Sequence, residues 1–197
     1  MLKSKLQAAV IGVSLSASSL MAYSSDYSFE SHSLVGIELG GSSLNYEYGT
    51  PLNNSVNDIT IANGGLKLGA ETEDFRLFLS GRYYYDSSSK YDYIVTYGAE
   101  FQYKFDISEH FNAFIGANAG IASMAFRATD EKYTRTISDP YYGGDVGINI
   151  HFGKELDWEL GGRVISIQAD NLKEGKTYHV NQMITAYTSL IFKWKMD

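Results

Sequence analysis

The sequence predicts an all-β protein, an eight-stranded antiparallel up-and-down β-barrel that spans a membrane. Three observations predict this fold. Apolar and polar residues alternate along most of the chain, which is the pattern of strands with one apolar and one polar face. The N-terminal segment has the composition of a secretory signal. The predicted connections alternate between short and long, so the long ones share one end of the sheet.

The composition excludes several classes of protein. The chain has 197 residues, no cysteine, 16 basic and 23 acidic residues, and a formal charge of -7. An acidic chain without a basic face is not expected to bind nucleic acid. Without cysteine it forms no disulfide framework, zinc finger or catalytic thiol. After the N-terminal segment no apolar run reaches about 18 residues, so helical membrane spans are not expected.

The N-terminus is predicted to be a secretory signal peptide. Lys3 and Lys5 precede the apolar stretch Leu6 to Leu20, and a cleavage site follows Ala22, with a cut after Ser19 as the alternative. The serines in this stretch disfavour a membrane anchor. The predicted division of the chain is a signal peptide at residues 1–22, an N-terminal extension at 23–32 and one barrel at 33–197.

Eight segments of alternating residues are predicted as strands. Two of them change phase, at Gly40–Gly41 and Gly64–Gly65, where bulges or bends are expected. The alternation of the third has two exceptions, Phe78 and Tyr84. In order, the segments are Leu34 to Tyr48, Asp58 to Glu71, Asp74 to Asp86, Tyr93 to Asp106, Phe111 to Phe126, Tyr142 to Lys154, Trp158 to Val164 with a phase slip at Ile165 and Ile167, and Val180 to Met196.

The connections and the aromatic residues favour a membrane barrel over a soluble one of lipocalin type. Tyrosines flank the long connections, and phenylalanines and tryptophans lie near the short turns, as in the two aromatic girdles of membrane barrels. The polar face is rich in Gly, Ser and Asn, whereas a soluble exterior would carry many more Lys and Glu. The long connections are predicted at Gly49 to Asn57, Ser87 to Tyr91, Arg127 to Tyr141 and Gln168 to Tyr178.

The polar face is predicted to line the lumen with nearly balanced charges. Eight strands enclose just enough volume for side chains, so we expect a salt-bridged plug, with a selectivity filter or gate as the alternative. We expect Glu38 opposite Lys67, Glu100 diagonal to Arg76, and Glu159 near His151. The predicted lumen polar network is Glu38, Lys67, Arg76, Arg82, Glu100, Asp145, His151, Glu159 and Arg163, with Lys104 on the same face.

No catalytic residue, metal ligand or cofactor is predicted. His151 has no serine beside it, and no two histidines share a strand at i, i+2 spacing, which disfavours a metal site. His179 is placed where it can meet Ser166 or Asp170, which are the residue types of a nucleophile and an orienting acid. A rim histidine beside a polar loop is the simpler interpretation, so a lipid hydrolase is a remote alternative.

The exported meander from Leu34 to Trp194, with its glycine-rich inner face, resembles the small outer-membrane β-barrel superfamily. This superfamily includes the transmembrane domain of outer membrane protein A and the opacity-type and W-type barrels. The resemblance covers nearly all of the mature chain and implies the outer membrane of a Gram-negative cell envelope. It also implies a last-strand assembly signal, read by the barrel insertion machinery, to which Leu190, Phe192 and Trp194 correspond. Lys195-Met196-Asp197 extends beyond the last aromatic residue.

The connection from Arg127 to Tyr141 is the expected working surface, because it mixes charges with aromatic rings. We expect a structural or adhesion-like surface-binding role, with outer-membrane lipids, lipopolysaccharide, or a host or surface ligand as partners. A narrow porin passing small or apolar solutes is the alternative. The candidate loop residues are Arg127, Asp130, Glu131, Lys132, Tyr133 and Arg135.

Overall fold

A computed structural model describes residues 31–50, 53–85, 91–126, 135–173 and 176–195. Within these ranges no helix is long and apolar enough to cross a membrane. The described chain is organised in eight strands: β1 (His32–Thr50), β2 (Asn53–Glu71), β3 (Phe75–Tyr85), β4 (Tyr91–Ser108), β5 (Phe111–Phe126), β6 (Arg135–His151), β7 (Leu156–Lys173) and β8 (Lys176–Lys195).

Each strand pairs antiparallel with the next along the chain, and β8 pairs with β1 to close a barrel. The predicted fold class, an eight-stranded up-and-down barrel, is confirmed. We call the end that carries the connections 72–74, 109–110 and 152–155 the lower end, and the opposite end the upper end. Connections at the lower end have two to four residues, whereas the upper end carries the extended β1–β2 and β7–β8 hairpins and the eight-residue connection 127–134. In membrane barrels the end with uniformly short connections faces the periplasm.

The strand register sets the tilt of the barrel. Following paired residues around the wall from Leu34 on β1 leads back to Leu44, ten residues further along the same strand. A stagger of this size accompanies strands tilted by roughly 35–45° from the barrel axis. Rows of neighbouring side chains therefore climb towards the upper end in the direction from β1 to β8.

The two faces of the wall are inverted relative to a soluble protein. Along β3, residues alternate between exposed and buried without a break. Around the whole barrel the buried face carries charged residues such as Lys67, Arg76 and Glu100. On the outer face, Leu39 and Leu66 are each 62% exposed. Exposing large aliphatic side chains while burying charges is favourable only where hydrocarbon surrounds the barrel.

Aromatic rings gather at both edges of this apolar exterior. Towards the lower end, the ring of Phe75 lies 5.4 Å from that of Phe101 and 5.1 Å from that of Tyr103. Trp158 donates its indole N–H to Thr188 Oγ1 at 2.6 Å, which satisfies this donor on the outer face. On the upper side, Tyr83 and Tyr93 stack at 6.3 Å. Three tyrosines assigned to this upper girdle, Tyr46, Tyr48 and Tyr178, have side chains outside the described part of the structure.

Two of the predicted long loops are wrong, because the chain there forms extended hairpins. The ladder between β1 and β2 continues to Thr50↔Asn53, and that between β7 and β8 to Lys173↔Lys176. The predicted loop from 127 to 141 is also shorter, since β6 begins at Arg135 opposite Phe126. Strands that rise above a bilayer need no apolar face, so their composition resembles that of a loop.

The predicted bulges at the glycine pairs of β1 and β2 are absent from the described ladder. The pairing of these strands is continuous from His32↔Glu71 upwards. The apparent phase change arises because Leu44 and Ile61, above the glycine pairs, are buried inside the barrel. Alternation of hydrophobicity is therefore lost there while alternation of side-chain direction continues. The register shifts lie elsewhere, for example between Ser166 and Ala169.

Candidate functional site: the filled lumen

Six charged residues form a central ion cluster across the middle of the lumen. Glu38 lies 3.1 Å from Lys67 Nζ, 2.7 Å from Arg82 Nε and 3.0 Å from Arg163 Nη1. The second carboxylate, Glu100, pairs with Arg82, with Arg163 at 3.3 Å and with Lys67 at 3.6 Å. Glu159 completes the cluster at 2.7 Å from Lys67. The cluster contains residues of β1, β2, β3, β4 and β7, so its ion pairs connect opposite sides of the barrel across the lumen.

Aromatic faces and glycines fit around these charges. The ring of Tyr187 lies 4.7 Å from Lys67 Nζ and 4.4 Å from Arg163 Cζ, so it contacts two cations through its π face. A Cβ at Gly161 would lie 2.5 Å from the Tyr187 ring, and one at Gly65 would lie 2.8 Å from Arg82 Cγ. The absence of these two side chains is what allows the large ones to lie flat across the wall.

The central ion cluster balances three carboxylates against three cations, and Asp145 stands apart from it. Asp145 is buried, yet among the described residues it forms no ion pair. Its carboxylate accepts hydrogen bonds from Gln102 Nε2 at 3.1 Å and Asn118 Nδ2 at 3.2 Å. The wall gives it room at Gly116, where a Cβ would lie 2.7 Å from its Oδ1. Neutral amide donors therefore solvate this carboxylate in place of a cation.

A closed ring of hydrogen bonds lies below, at the lower mouth. His151 Nδ1 lies 2.7 Å from Asp157, which also binds Arg76. Arg76 Nη1 donates to Asn149 Oδ1 at 2.9 Å, Asn149 Nδ2 donates to Asn112 Oδ1 at 2.7 Å, and Asn112 Nδ2 lies 3.0 Å from His151 Nε2. Both imidazole nitrogens are therefore engaged and neither serves as a free base.

More charges surround this ring. Glu71 lies 2.6 Å from Arg76, 3.3 Å from Lys104 and 3.4 Å from Lys193, and Lys193 also reaches Asp157 at 3.0 Å. The ring and these residues together form the lower polar layer. Leu34, Phe78 and Ile191 pack as a small apolar cluster of their own.

Above the central ion cluster the lumen is filled mainly by apolar side chains, with the buried hydroxyls of Ser42, Thr96 and Thr185 at its lower edge. The side chain of Tyr141 lies against the wall at Gly98 and Gly120, where the missing side chains leave room for it. A Cβ at Gly98 would come within 2.5 Å of its hydroxyl, and one at Gly120 within 2.8 Å of its ring. Each member of this upper apolar layer is at most 3% exposed. The layer consists of Leu44, Ile61, Tyr84, Ile94, Ala122, Met124, Tyr141, Ile165, Ile167 and Met183.

The structure brings together some predicted pairs and not others. Glu38 and Lys67 meet at 3.1 Å, but they are diagonal and not opposite, because the register pairs Glu38 with Gly65 and Lys67 with Gly36. The other two predicted placements agree with the register, in which Glu100 is diagonal to Arg76 and Glu159 is diagonal to His151. Their ion pairs form with other residues, since Arg76 binds Glu71 and Asp157, and Glu159 binds Lys67. The direct cross-strand partner of His151 is Asp157, two residues before Glu159 on the same face of β7.

Sequence reasoning missed three charges of the lower polar layer, namely Glu71, Asp157 and Lys193. The alternation along the strands could have identified two of them, since Asp157 lies on the same face of β7 as Glu159 and Lys193 lies on the same face of β8 as Ser189. The upper apolar layer was missed as well. Its signal was the set of exceptions to alternation, since Tyr84, Ile165 and Ile167 break the pattern where the inner face turns apolar.

The remaining candidate residues lie on the rim and the outer wall. Leu190, Phe192 and Trp194 all face outward on β8, between 46% and 49% exposed. At the upper end, the backbone of His179 pairs with that of Asp170, and their side chains are outside the described part. For Arg135 the structure describes the backbone only. The other loop candidates, Arg127, Asp130, Glu131, Lys132 and Tyr133, and the predicted signal peptide lie outside the described residues.

Comparison with known proteins identifies the architecture. No family model and no curated protein sequence matches the chain. Neisserial surface protein A is similar in structure, with a TM-score of 0.60 and 12% identity over 80% of this chain and 97% of that one. The outer membrane protein OprG of Pseudomonas aeruginosa is also similar, with a TM-score of 0.52 and 9% identity over 85% and 98%. With the inverted faces of its wall, the chain has the fold of the small eight-stranded outer-membrane β-barrels.

Proposed function

We propose that this protein is an outer-membrane barrel closed to solutes, which anchors its upper hairpins and the segment 127–134 at the cell surface for a structural or binding role. The observation that carries the proposal is the filled lumen. From the lower mouth upwards, the described inward side chains form a polar layer, the central ion cluster and the upper apolar layer.

Each layer opposes a continuous aqueous path for its own reason. An ion that passes the central ion cluster must displace Lys67 or Arg82 from their carboxylate partners. Both cations are at most 3% exposed, so breaking these buried ion pairs is costly in free energy. An ion that passes the upper apolar layer must lose its hydration among Leu44, Ile94 and Met183. The two barriers are independent, so loosening one of them does not open the lumen.

The first prediction is electrical silence. The protein, extracted from membranes in mild detergent and inserted into planar bilayers, is expected to show no steady conductance steps in concentrated KCl. A difference in gel migration between the unheated and the boiled sample, in either direction, establishes that the barrel is folded. Arg82→Ala is expected to remain silent too, because the upper apolar layer still closes the lumen. Steady, salt-dependent steps that change in Arg82→Ala would contradict the closed lumen and favour the narrow porin.

The upper hairpins support the surface role. Nine residues of β2, from Asn53 to Ile61, lie above its last pair with β3, Ala62↔Tyr85. The β1–β2 hairpin therefore rises above β3, while β8 accompanies it on the other side up to Gly49↔Thr177. The segment 127–134 connects Phe126 to Arg135, whose backbones pair. It contains charges of both signs and a tyrosine, a mixture suited to a polar ligand such as the sugars and phosphates of lipopolysaccharide.

The second prediction concerns this segment. Replacing residues 127–134 with a short Gly-Ser turn keeps the pair Phe126↔Arg135 and is expected to leave the barrel folded. Binding of the delipidated core oligosaccharide of lipopolysaccharide, measured by calorimetry, is expected to be lost. The matched control replaces residues 86–90 in the same way and is expected to retain binding. Equal binding by both variants, or none by the parent protein, would remove this segment as the ligand surface.

A further inference from the structure

The outer wall carries a groove across β1, β2, β3 and β4, on the face exposed to hydrocarbon. Its volume is about 550 Å³. Leu39 and Leu66 flank it on one side and Tyr83 and Tyr97 on the other, while Gly64 and Gly81 lie between them. The four large side chains are between 48% and 62% exposed, so they form ridges around a low floor.

The glycines of this floor differ from those that face the lumen. Inward glycines make room for a neighbour, as at Gly147, where a Cβ would lie 2.3 Å from the Leu160 carbonyl oxygen. At Gly81 a Cβ would meet nothing within 4 Å, and at Gly64 the nearest atom is Leu39 Cδ2 at 3.6 Å. Glycine inside a strand destabilises it, and such a position often marks the close approach of a ligand. Nothing in the described chain requires glycine at position 81.

The position of the groove indicates which molecule reaches it. Because side-chain rows climb from β1 towards β8, the groove rises obliquely from Leu39 to the upper tyrosines. It spans three strand spacings, or about 14 Å. Its upper end, at Tyr83 and Tyr97, lies at the girdle where lipid headgroups begin. The groove thus belongs to the leaflet on the side of the upper hairpins, which is the cell-surface leaflet.

We propose that this groove is a binding site for one acyl chain of lipid A, the lipid that forms the outer leaflet. The site is continuous with the apolar band of the barrel, so an acyl chain enters it without crossing water. A chain lying on Gly81 and Gly64 contacts the backbone of the wall directly, and it contacts Leu39, Leu66, Tyr83 and Tyr97 on its sides. Contact with the floor and with both flanks gives each methylene more neighbouring atoms than contact with the floor alone. The proposal rests on the membrane placement of the barrel and is independent of the segment 127–134.

The test fills the groove and compares the effect with that of the same change elsewhere. Gly81→Leu places a side chain on the floor. Gly162→Leu, on β7, is the matched control, because it is also an outward glycine and its added Cβ would have its nearest atom at 4.0 Å. Neither backbone has a positive φ, so both variants are expected to fold. Each protein is delipidated, incubated with lipid A or with phosphatidylethanolamine, and examined by native mass spectrometry.

One lipid A molecule is expected to stay bound to the parent protein and to Gly162→Leu, and to be lost from Gly81→Leu. Retention by Gly81→Leu, or loss from both variants, would overturn the proposal. Selective retention of phosphatidylethanolamine would overturn lipid A as the occupant. A parent dimer that Gly81→Leu dissociates would instead assign the groove to a second copy of the chain.

Discussion

Glu38→Gln is expected to lower the free energy of unfolding by about 3–5 kcal/mol, the effect of breaking a buried ion pair by removing one partner. The Glu38 carboxylate is fully buried and contacts three cations, Lys67, Arg82 and Arg163. The amide keeps the shape but removes the charge, so these cations are left with Glu100 and Glu159 alone. The excess positive charge has no route to water, since each of them is at most 3% exposed.

The measurement is urea unfolding in phospholipid vesicles, followed by tryptophan fluorescence. Asp145→Asn is the matched control, because it makes the same chemical change at a side chain that is 2% exposed and held by amide donors. Its effect is expected to be much smaller, since no buried cation loses its partner. Similar destabilisation by both variants would mean that the central ion cluster contributes no more than any buried carboxylate.

The alternation of residues was sufficient to predict the fold. It depends on one physical fact, that successive side chains of a strand point to opposite faces, and this holds for β3 at every residue. Inward charges such as Glu100 and Arg163 were assigned from parity in the same way, and the structure places both in the lumen. Parity is local, so it survives errors in loop length and in register.

The upper apolar layer shows where this reasoning fails. A pattern method takes apolar residues as the lipid-facing set, so Leu44, Ile61 and Ile165 were read as changes of phase. In the structure their direction never changes, and the inner face itself becomes apolar above the central ion cluster. Only a fixed register distinguishes a bulge from a change in the chemistry of one face.

Partner choice inside the lumen was also beyond the sequence. The cross-strand neighbour of Arg163 is Asp145, yet its guanidinium reaches across the barrel to Glu38 at 3.0 and 3.2 Å. A long side chain in a narrow barrel can reach several rows of residues, so the partner depends on tilt and on where glycines leave space. The spacing of residues in the sequence gives neither the tilt of the strands nor the space that a given side chain finds in the lumen.

Leu79→Arg tests the membrane placement itself, and it is expected to destabilise the barrel by about 2–4 kcal/mol in vesicles, the effect of a lipid-facing arginine at the bilayer midplane. Leu79 lies in the middle of β3, faces outward and is 45% exposed. An arginine there has hydrocarbon on all sides except the wall. The same urea titration gives the change, with the parent protein as the reference.

Phe111→Arg separates depth from exposure. Phe111 is 44% exposed on the same outer surface, but it begins β5 at the lower end, where an arginine reaches the interface and costs roughly 0–1 kcal/mol. In a soluble barrel the two substitutions would change the free energy of unfolding by similar amounts. The exposed fractions of the two residues differ by only one percentage point, and water would solvate either arginine. A large effect at Leu79 with a small one at Phe111 therefore requires a medium whose polarity changes with height along the wall, and equal small effects would exclude a bilayer around this barrel.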